Sequence, residues 1–220
     1  MENMRTIKVT GKGVIKVHPD MIRITITLEG THKVYGEALK YSSNDTETLR
    51  NLVESLGFAK TDLKTLSFDL DTKYESYEER GTYKQRFIGY KYEHELKLEF
   101  ESDNDRLGRI VYALANSEVN PRFSISYTVK DKEAAKNELL ERSIADAKAK
   151  AAILSRAAGV SLKEIVNIDY SWGELGLEIE LLQNNMISNA GWGSDDGCPM
   201  SFEPDDIAIT DTVTVVWRLE

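Results

Sequence analysis

The stretch VTGKGVIKVHPD, residues 9–20, carries two tripeptides that other proteins use for chemistry. Gly11-Lys12-Gly13 has the composition of a phosphate-binding turn, and His18-Pro19-Asp20 that of a chaperone-partner loop. A phosphate loop needs glycines running into a helix N-terminus, where several amides converge on the anion. VIKV follows here instead, so a turn or bulge in strand context is expected, and no nucleotide. HPD lies between two strand-like segments rather than two helices. Pro19 lacks an N–H and Asp20 suits a turn, which makes HPD a strand connector.

The three histidines, His18, His32 and His94, are far apart in the chain. Only His94 lies on an apolar face, with Tyr90 and Tyr92, and these three are the candidate small-ligand site. No second metal ligand stands at strand or helical spacing from His94, and a hydrogen-bonded core imidazole is the plainer reading. The acidic residues Asp195, Asp196, Glu203, Asp205 and Asp206 lack the spacing and central glycine of a calcium loop, so a solvated loop is expected. A single cysteine, Cys198, excludes an internal disulfide and a cysteine-based zinc site, and no basic residue near it in sequence activates it. There is no nucleophile elbow, Cys/His pair or dinucleotide fingerprint. Catalytic residues, cofactor and metal are therefore each assigned as none.

Composition narrows the classes further. With 41% hydrophobic and 30% charged residues, 220 residues suit a globular chain with a real core. The 28 Lys+Arg against 37 Asp+Glu leave a net charge of -9, which repels a phosphate backbone, so nucleic acid is not an expected partner. No run approaches the ~20 apolar residues of a membrane helix. The start MENMRTIKVTGKG lacks a basic region followed by an apolar one. A cytoplasmic location is expected for the chain as given, with periplasm or envelope the alternative if a leader was removed.

The elements that must position these residues follow from periodicity. Ile22, Ile24, Ile26 and Leu28 alternate with polar residues and predict a strand. Over 34–56 the period changes: Ala38, Ser42, Asp45, Leu49, Leu52 and Leu56 share a helical face, supported by Leu39 and Val53, before Gly57. Leu66, Phe68 and Leu70 begin another strand. A turn near Gly81 leads into a long one with Ile88, Tyr90, Tyr92, His94, Leu96, Leu98 and Phe100 on one face. Ser102 and Asp105 have capping-box-like spacing before a short helix with Leu107, Ile110, Val111 and Leu114. Phe123, Ile125, Tyr127 and Val129 mark a strand after Pro121. The surest helix covers 131–158, with Leu140, Ile144, Ala147, Ala151, Leu154 and Ala158 recurring at four and three. Strands are expected at 165–170 and 207–219, and 171–205 is a long loop or irregular insertion.

The expected fold is α+β, a single domain over residues 1–220. Its mainly antiparallel sheet carries helices on one face and contains a β-α-β-β-α-β core. The exposed-looking tyrosines Tyr74, Tyr77 and Tyr83 near the hairpin tip are the candidate interface, because a tyrosine ring buries apolar area while its hydroxyl stays hydrogen-bonded.

Five segments in order resemble the SIMPL-domain family, DUF541. They are IKVTGKGVIKVHPD, LVESLGFAKTDLKT, YESYEERGTYKQRFIGYKYE, RSIADAKAKAAILSRAAGV and FEPDDIAITDTVTVVWRLE. The resemblance implies an α+β fold and, for some bacterial members, ring- or channel-like oligomers. It also implies export in many bacterial members, a link to oxidative stress, and a mammalian relative that associates with a signalling kinase. It carries no established catalytic residues. The expected function is a non-enzymatic assembly or interaction domain that forms homo-oligomers without disulfides or metal. The alternative is a small-ligand binder or unrecognised enzyme with a site beside the Tyr90–His94 strand or the 171–205 stretch.

Overall fold

A computed structural model describes residues 5–170, 178–183 and 203–220. In chain order its elements are β1 (Thr6–Val17), β2 (Met21–His32), α1 (Tyr35–Ser55), a short 3-10 turn at Lys60–Asp62, β3 (Lys64–Glu79) and β4 (Thr82–Glu101). Then come α2 (Asn104–Ala115), β5 (Arg122–Thr128), α3 (Lys132–Ala157), β6 (Leu162–Asp169), β7 (Glu178–Gln183) and β8 (Ile207–Leu219). The class is α+β, as expected. The strands divide between two sheets, ordered β1-β8-β6 and β3-β4-β2-β5-β7. The chain accordingly forms two compact units. The first holds β1, α3, β6 and β8, and the second holds α1, α2 and the five-stranded sheet. His18, Pro19 and Asp20 connect β1 to β2, the role read from their sequence. Of the stretch 171–205, residues 178–183 form a strand; Asp195, Asp196 and Cys198 lie outside the described residues.

In the second unit the elements β2-α1-β3-β4-α2-β5 follow the split βαβ order, and their spatial order β3-β4-β2-β5 is the one that motif produces. Alternation along β2 buries Ile22, Ile24, Ile26 and Leu28 against Leu96, Leu98 and Phe100 of β4 and Phe123, Ile125 and Tyr127 of β5. The opposite face of the sheet is laced by cross-strand ion pairs, Arg23–Glu99 at 2.6 Å and Lys91–Glu29 at 2.8 Å. Helix α1 buries Ala38, Ser42, Thr46, Leu49 and Val53. The stripe thus runs at spacings of four and three through Thr46, not Asp45, and Leu39 is exposed, contrary to the sequence reading. The cap of α2 is Asp103, whose carboxylate accepts from the Arg106 amide at 2.9 Å. That replaces the Ser102/Asp105 pairing read from spacing, because Asp103 is the residue with extended backbone at the helix start.

The first unit turns on the packing of α3 against β1. The helix buries Ala135, Leu139, Ser143, Ala147, Ala151 and Ser155, a strict spacing of four. Leu154 and Ala158, read as part of the stripe, are exposed, and Leu140 and Ile144 are only partly buried. The reason lies in β1. A Cβ on Gly11 would stand 2.0 Å from the Ser143 carbonyl oxygen, and one on Gly13 would stand 2.3 Å from that of Leu139. The two glycines let the helix backbone rest on the strand backbone, and only small residues fit that seam. GKG is therefore a packing device.

The same helix caps the free edge of β1. Arg142 Nη1 donates to the Val14 carbonyl at 2.9 Å, Asp146 Oδ2 accepts from the Lys12 amide at 2.7 Å, and Lys150 Nζ donates to the Thr10 carbonyl at 3.4 Å. Four helix residues rise about 6 Å and two strand residues about 6.6 Å, so the two rows stay in step. An exposed strand edge invites pairing with another chain, and these three side chains occupy it.

Candidate functional site

Two places in the second unit have features beyond packing. The first is built around His94 on β4. Thr46 Oγ1 donates to the Ser42 carbonyl at 2.8 Å, which spends its only proton. It therefore accepts from His94 Nδ1, 3.0 Å away, and Nε2 accepts from Thr65 Oγ1 at 2.9 Å. The network assigns a neutral ring protonated on Nδ1. Burial pushes the His94 pKa below the usual value of 6.5, and the positive field of Arg50 lowers it further. Phe68 stands edge-on to the imidazole, with centroids 5.3 Å apart. Beside the ring opens a cleft of about 330 Å³ between α1 and the β3–β4 pair, which Ser42, Ser43, Thr46 and Arg50 line from the helix.

Of the three residues proposed as a ligand site, His94 alone lines this cleft. Tyr92 is 2% exposed; its hydroxyl donates to Asp45 and its ring lies parallel to His32, with centroids 6.2 Å apart. Burial and the neighbouring Asp45 raise the Tyr92 pKa, which keeps the phenol protonated as a donor. Tyr90 packs edge-on against Tyr35 at 5.5 Å and Phe87 at 5.3 Å. Sequence reasoning missed Arg50 and Phe68. The signal available was the run of hydroxyls Ser42, Ser43 and Thr46 on the side of α1 that turns toward the sheet.

The second place is the outer half of the β3–β4 hairpin. β2 pairs with β4 from Glu101 back to Tyr90, so residues 82–89 pair only with β3 among the described residues. Arg80 and Gly81, at φ 52° and 76°, form the tight turn that suits twisted strands. Cross-strand partners share a face, so Tyr74 lies with Phe87, and Glu78 with Tyr83 two pairs along on the same side. Tyr77 is on the other face, under the Arg86 guanidinium at 5.7 Å. Tyr74, Tyr77 and Tyr83, expected to cluster, are thus split two to one, because period two separates positions 74 and 77. Tyr74 is 55% and Tyr83 79% exposed, and Phe87, which the sequence reading passed over, is also exposed.

A split βαβ sheet in one unit and a three-stranded sheet packed by a small-residue helix in the other define an α+β protein. The chain belongs to the SIMPL family, described as a protein of unknown function (DUF541), whose profile matches residues 7–217. It is similar to the 26 kDa periplasmic immunogenic protein of Brucella abortus (strain S19), 26% identical over 163 residues. Its similarity to the protein of that name in Brucella melitensis biotype 1 is the same, 26% over 163 residues. In both cases the match covers 74% of this chain and 65% of the relative. Among the described residues no helix is long and apolar enough to cross a membrane.

Proposed function

We propose that this SIMPL-family chain is an assembly domain that joins copies of itself through the outer half of the β3–β4 hairpin. One observation carries the reading. The ribbon beyond Gly89 exposes Tyr74, Tyr83 and Phe87 on one face and has no third strand or helix to pack on among the described residues. A two-stranded ribbon is marginal in water unless its face is covered, and aromatic residues are enriched where partners meet. β3 is also an edge strand, and nearly every residue along its length is exposed. The family match crosses both units, which supports their working as one domain. The periplasmic designation of the Brucella relatives supports an envelope setting over a cytoplasmic one. A stress-related role rests on the family likeness alone.

The test is light scattering coupled to gel filtration on the full chain and on a variant with Tyr74, Tyr83 and Phe87 all changed to Ser. The parent is expected to elute as a multimer and the variant as a smaller species with unchanged circular dichroism. A parent that stays monomeric at high micromolar concentration ends the proposal, and so does a variant of unchanged size.

A further inference from the structure

The cleft beside His94 is not used by the hairpin reading. The imidazole does not act as a ligand in it, since both ring nitrogens are taken up by Thr46 and Thr65. What the cleft offers is Arg50. Lys60 Nζ holds Glu47 Oε1 at 2.8 Å, whereas Arg50 Nη1 stands 3.7 Å from the other carboxylate oxygen, beyond hydrogen-bond range. The Arg50 side chain is 41% exposed, so its planar donor fork remains open to a second acceptor. Ser42, Ser43 and Glu47 line the same wall, the Glu47 charge being met by Lys60, and Leu39 and Phe68 supply apolar surface to the cleft. Phe68 is held in place by its edge contact with His94, so this surface exists before any ligand arrives.

A guanidinium fork matches a carboxylate in plane and spacing, better than an ammonium does. An apolar wall in the same small cleft selects for what the carboxylate carries. We propose that this cleft binds small carboxylates bearing an apolar or aromatic body, with the carboxylate on Arg50 and the body against Phe68 and Leu39. Inorganic phosphate would satisfy Arg50 and leave the apolar wall bare. A neutral aromatic amide would do the reverse. The field that Arg50 already exerts on His94 gives the site a built-in reporter, because a bound carboxylate cancels part of that field and raises the affinity of the imidazole for a proton.

The experiment titrates the full chain with phenylacetate, phenylacetamide and inorganic phosphate, followed by the NMR signals of the His94 ring and the Arg50 side chain. A ligand of this size is expected to bind in the millimolar range. Phenylacetate is expected to saturate and to raise the His94 pKa, while the amide and phosphate bind far more weakly. Arg50→Gln should weaken phenylacetate about tenfold or more, and Arg50→Lys, which keeps the charge but not the fork, by an intermediate factor. Arg50 is only half-buried at the cleft, and unchanged circular dichroism confirms that each variant is folded. The proposal is overturned by phenylacetate that does not saturate, by equal binding of the amide or of phosphate, or by Arg50 variants that bind like the parent. None of these outcomes depends on the oligomeric state, so the cleft and the hairpin stand or fall separately.

Discussion

Gly11 and Ala147 meet backbone to backbone: a Cβ added to Gly11 would lie 2.4 Å from the Ala147 amide nitrogen and 2.7 Å from its Cβ. Neither neighbour is the end of a flexible side chain, so neither can swing aside. Gly11→Ala must push α3 away from β1, and the expected loss is about 3 kcal/mol, the upper part of the usual overpacking range. Ala147→Leu and Ala151→Leu attack the same seam from the helix side and should each cost about 1–3 kcal/mol. Lys12→Ala should leave the seam intact, since Lys12 uses its backbone N–H there. Thermal unfolding ranks the four variants, and a Gly11→Ala protein that melts with the parent would refute the seam.

The edge-capping row makes a prediction about pH. Asp146 is held below its ordinary pKa of 3.8, first by the hydrogen bond from Lys150 and then by that from the Lys12 amide. A lowered carboxylate pKa means that the unfolded chain binds the proton more readily, so the contribution is present above 3.8 and lost as pH falls through the folded value. Asp146→Asn should therefore be less stable than the parent near neutral pH, and the gap should shrink only below 3.8, as pH falls through the lowered folded value. Urea midpoints near neutral pH and at a pH well below 3.8 measure it. A gap that is the same at both would mean that the charge of Asp146 contributes nothing.

His94 has a dependence of the same sign in a higher pH window. Its folded pKa lies below 6.5, so the unfolded state takes up the proton first and stability rises with pH through the interval between the folded value and 6.5. The contribution is complete above 6.5 and erodes as pH drops beneath it. The parent should lose stability between about pH 7.5 and about pH 5.5, and His94→Gln should lose less over the same interval. Equal losses in the two proteins would remove His94 as the cause.

What the sequence conveyed was set by periodicity. Alternation in Ile22–Leu28 and in Leu96–Phe100 has one solution, a half-buried strand, and the burial pattern follows it residue by residue. Helix faces were harder. In α3 the alanines of the predicted stripe, Ala147 and Ala151, make the contact, while Leu140, Ile144 and Leu154 belong beside or outside it and Ser143 and Ser155 complete it. Small residues carry little hydrophobic signal, and their role depends on the glycines of a strand more than 130 positions away in sequence. The division into two sheets was hidden for a similar reason, because β8, at the end of the chain, pairs with β1 at its start. Arg50 in the cleft was illegible on its own terms. An arginine on a polar helix turn looks like solvated surface until β3 and β4 fold over beside it.

The hydrogen bond from Tyr92 to Asp45 supports the last prediction. Tyr92 is almost wholly buried, and its hydroxyl reaches Asp45, the residue that periodicity placed in the apolar stripe. Its ring also lies over Gly30, where a Cβ would come within 2.5 Å of Cε1, so the phenol is held in one position before the hydrogen bond forms. Tyr92→Phe keeps the ring and deletes the donor, leaving a part-buried carboxylate short of a partner. The expected cost is about 1–3 kcal/mol, the range for stranding a polar group. Asp45→Asn should cost less, since the amide oxygen can still accept from the phenol. Because the two groups touch, their effects should not add: the double variant is expected to fall short of the sum by about 1 kcal/mol. Four urea unfolding curves complete the cycle. Strictly additive losses would show that the two residues act independently and that Tyr92 is held by ring packing alone.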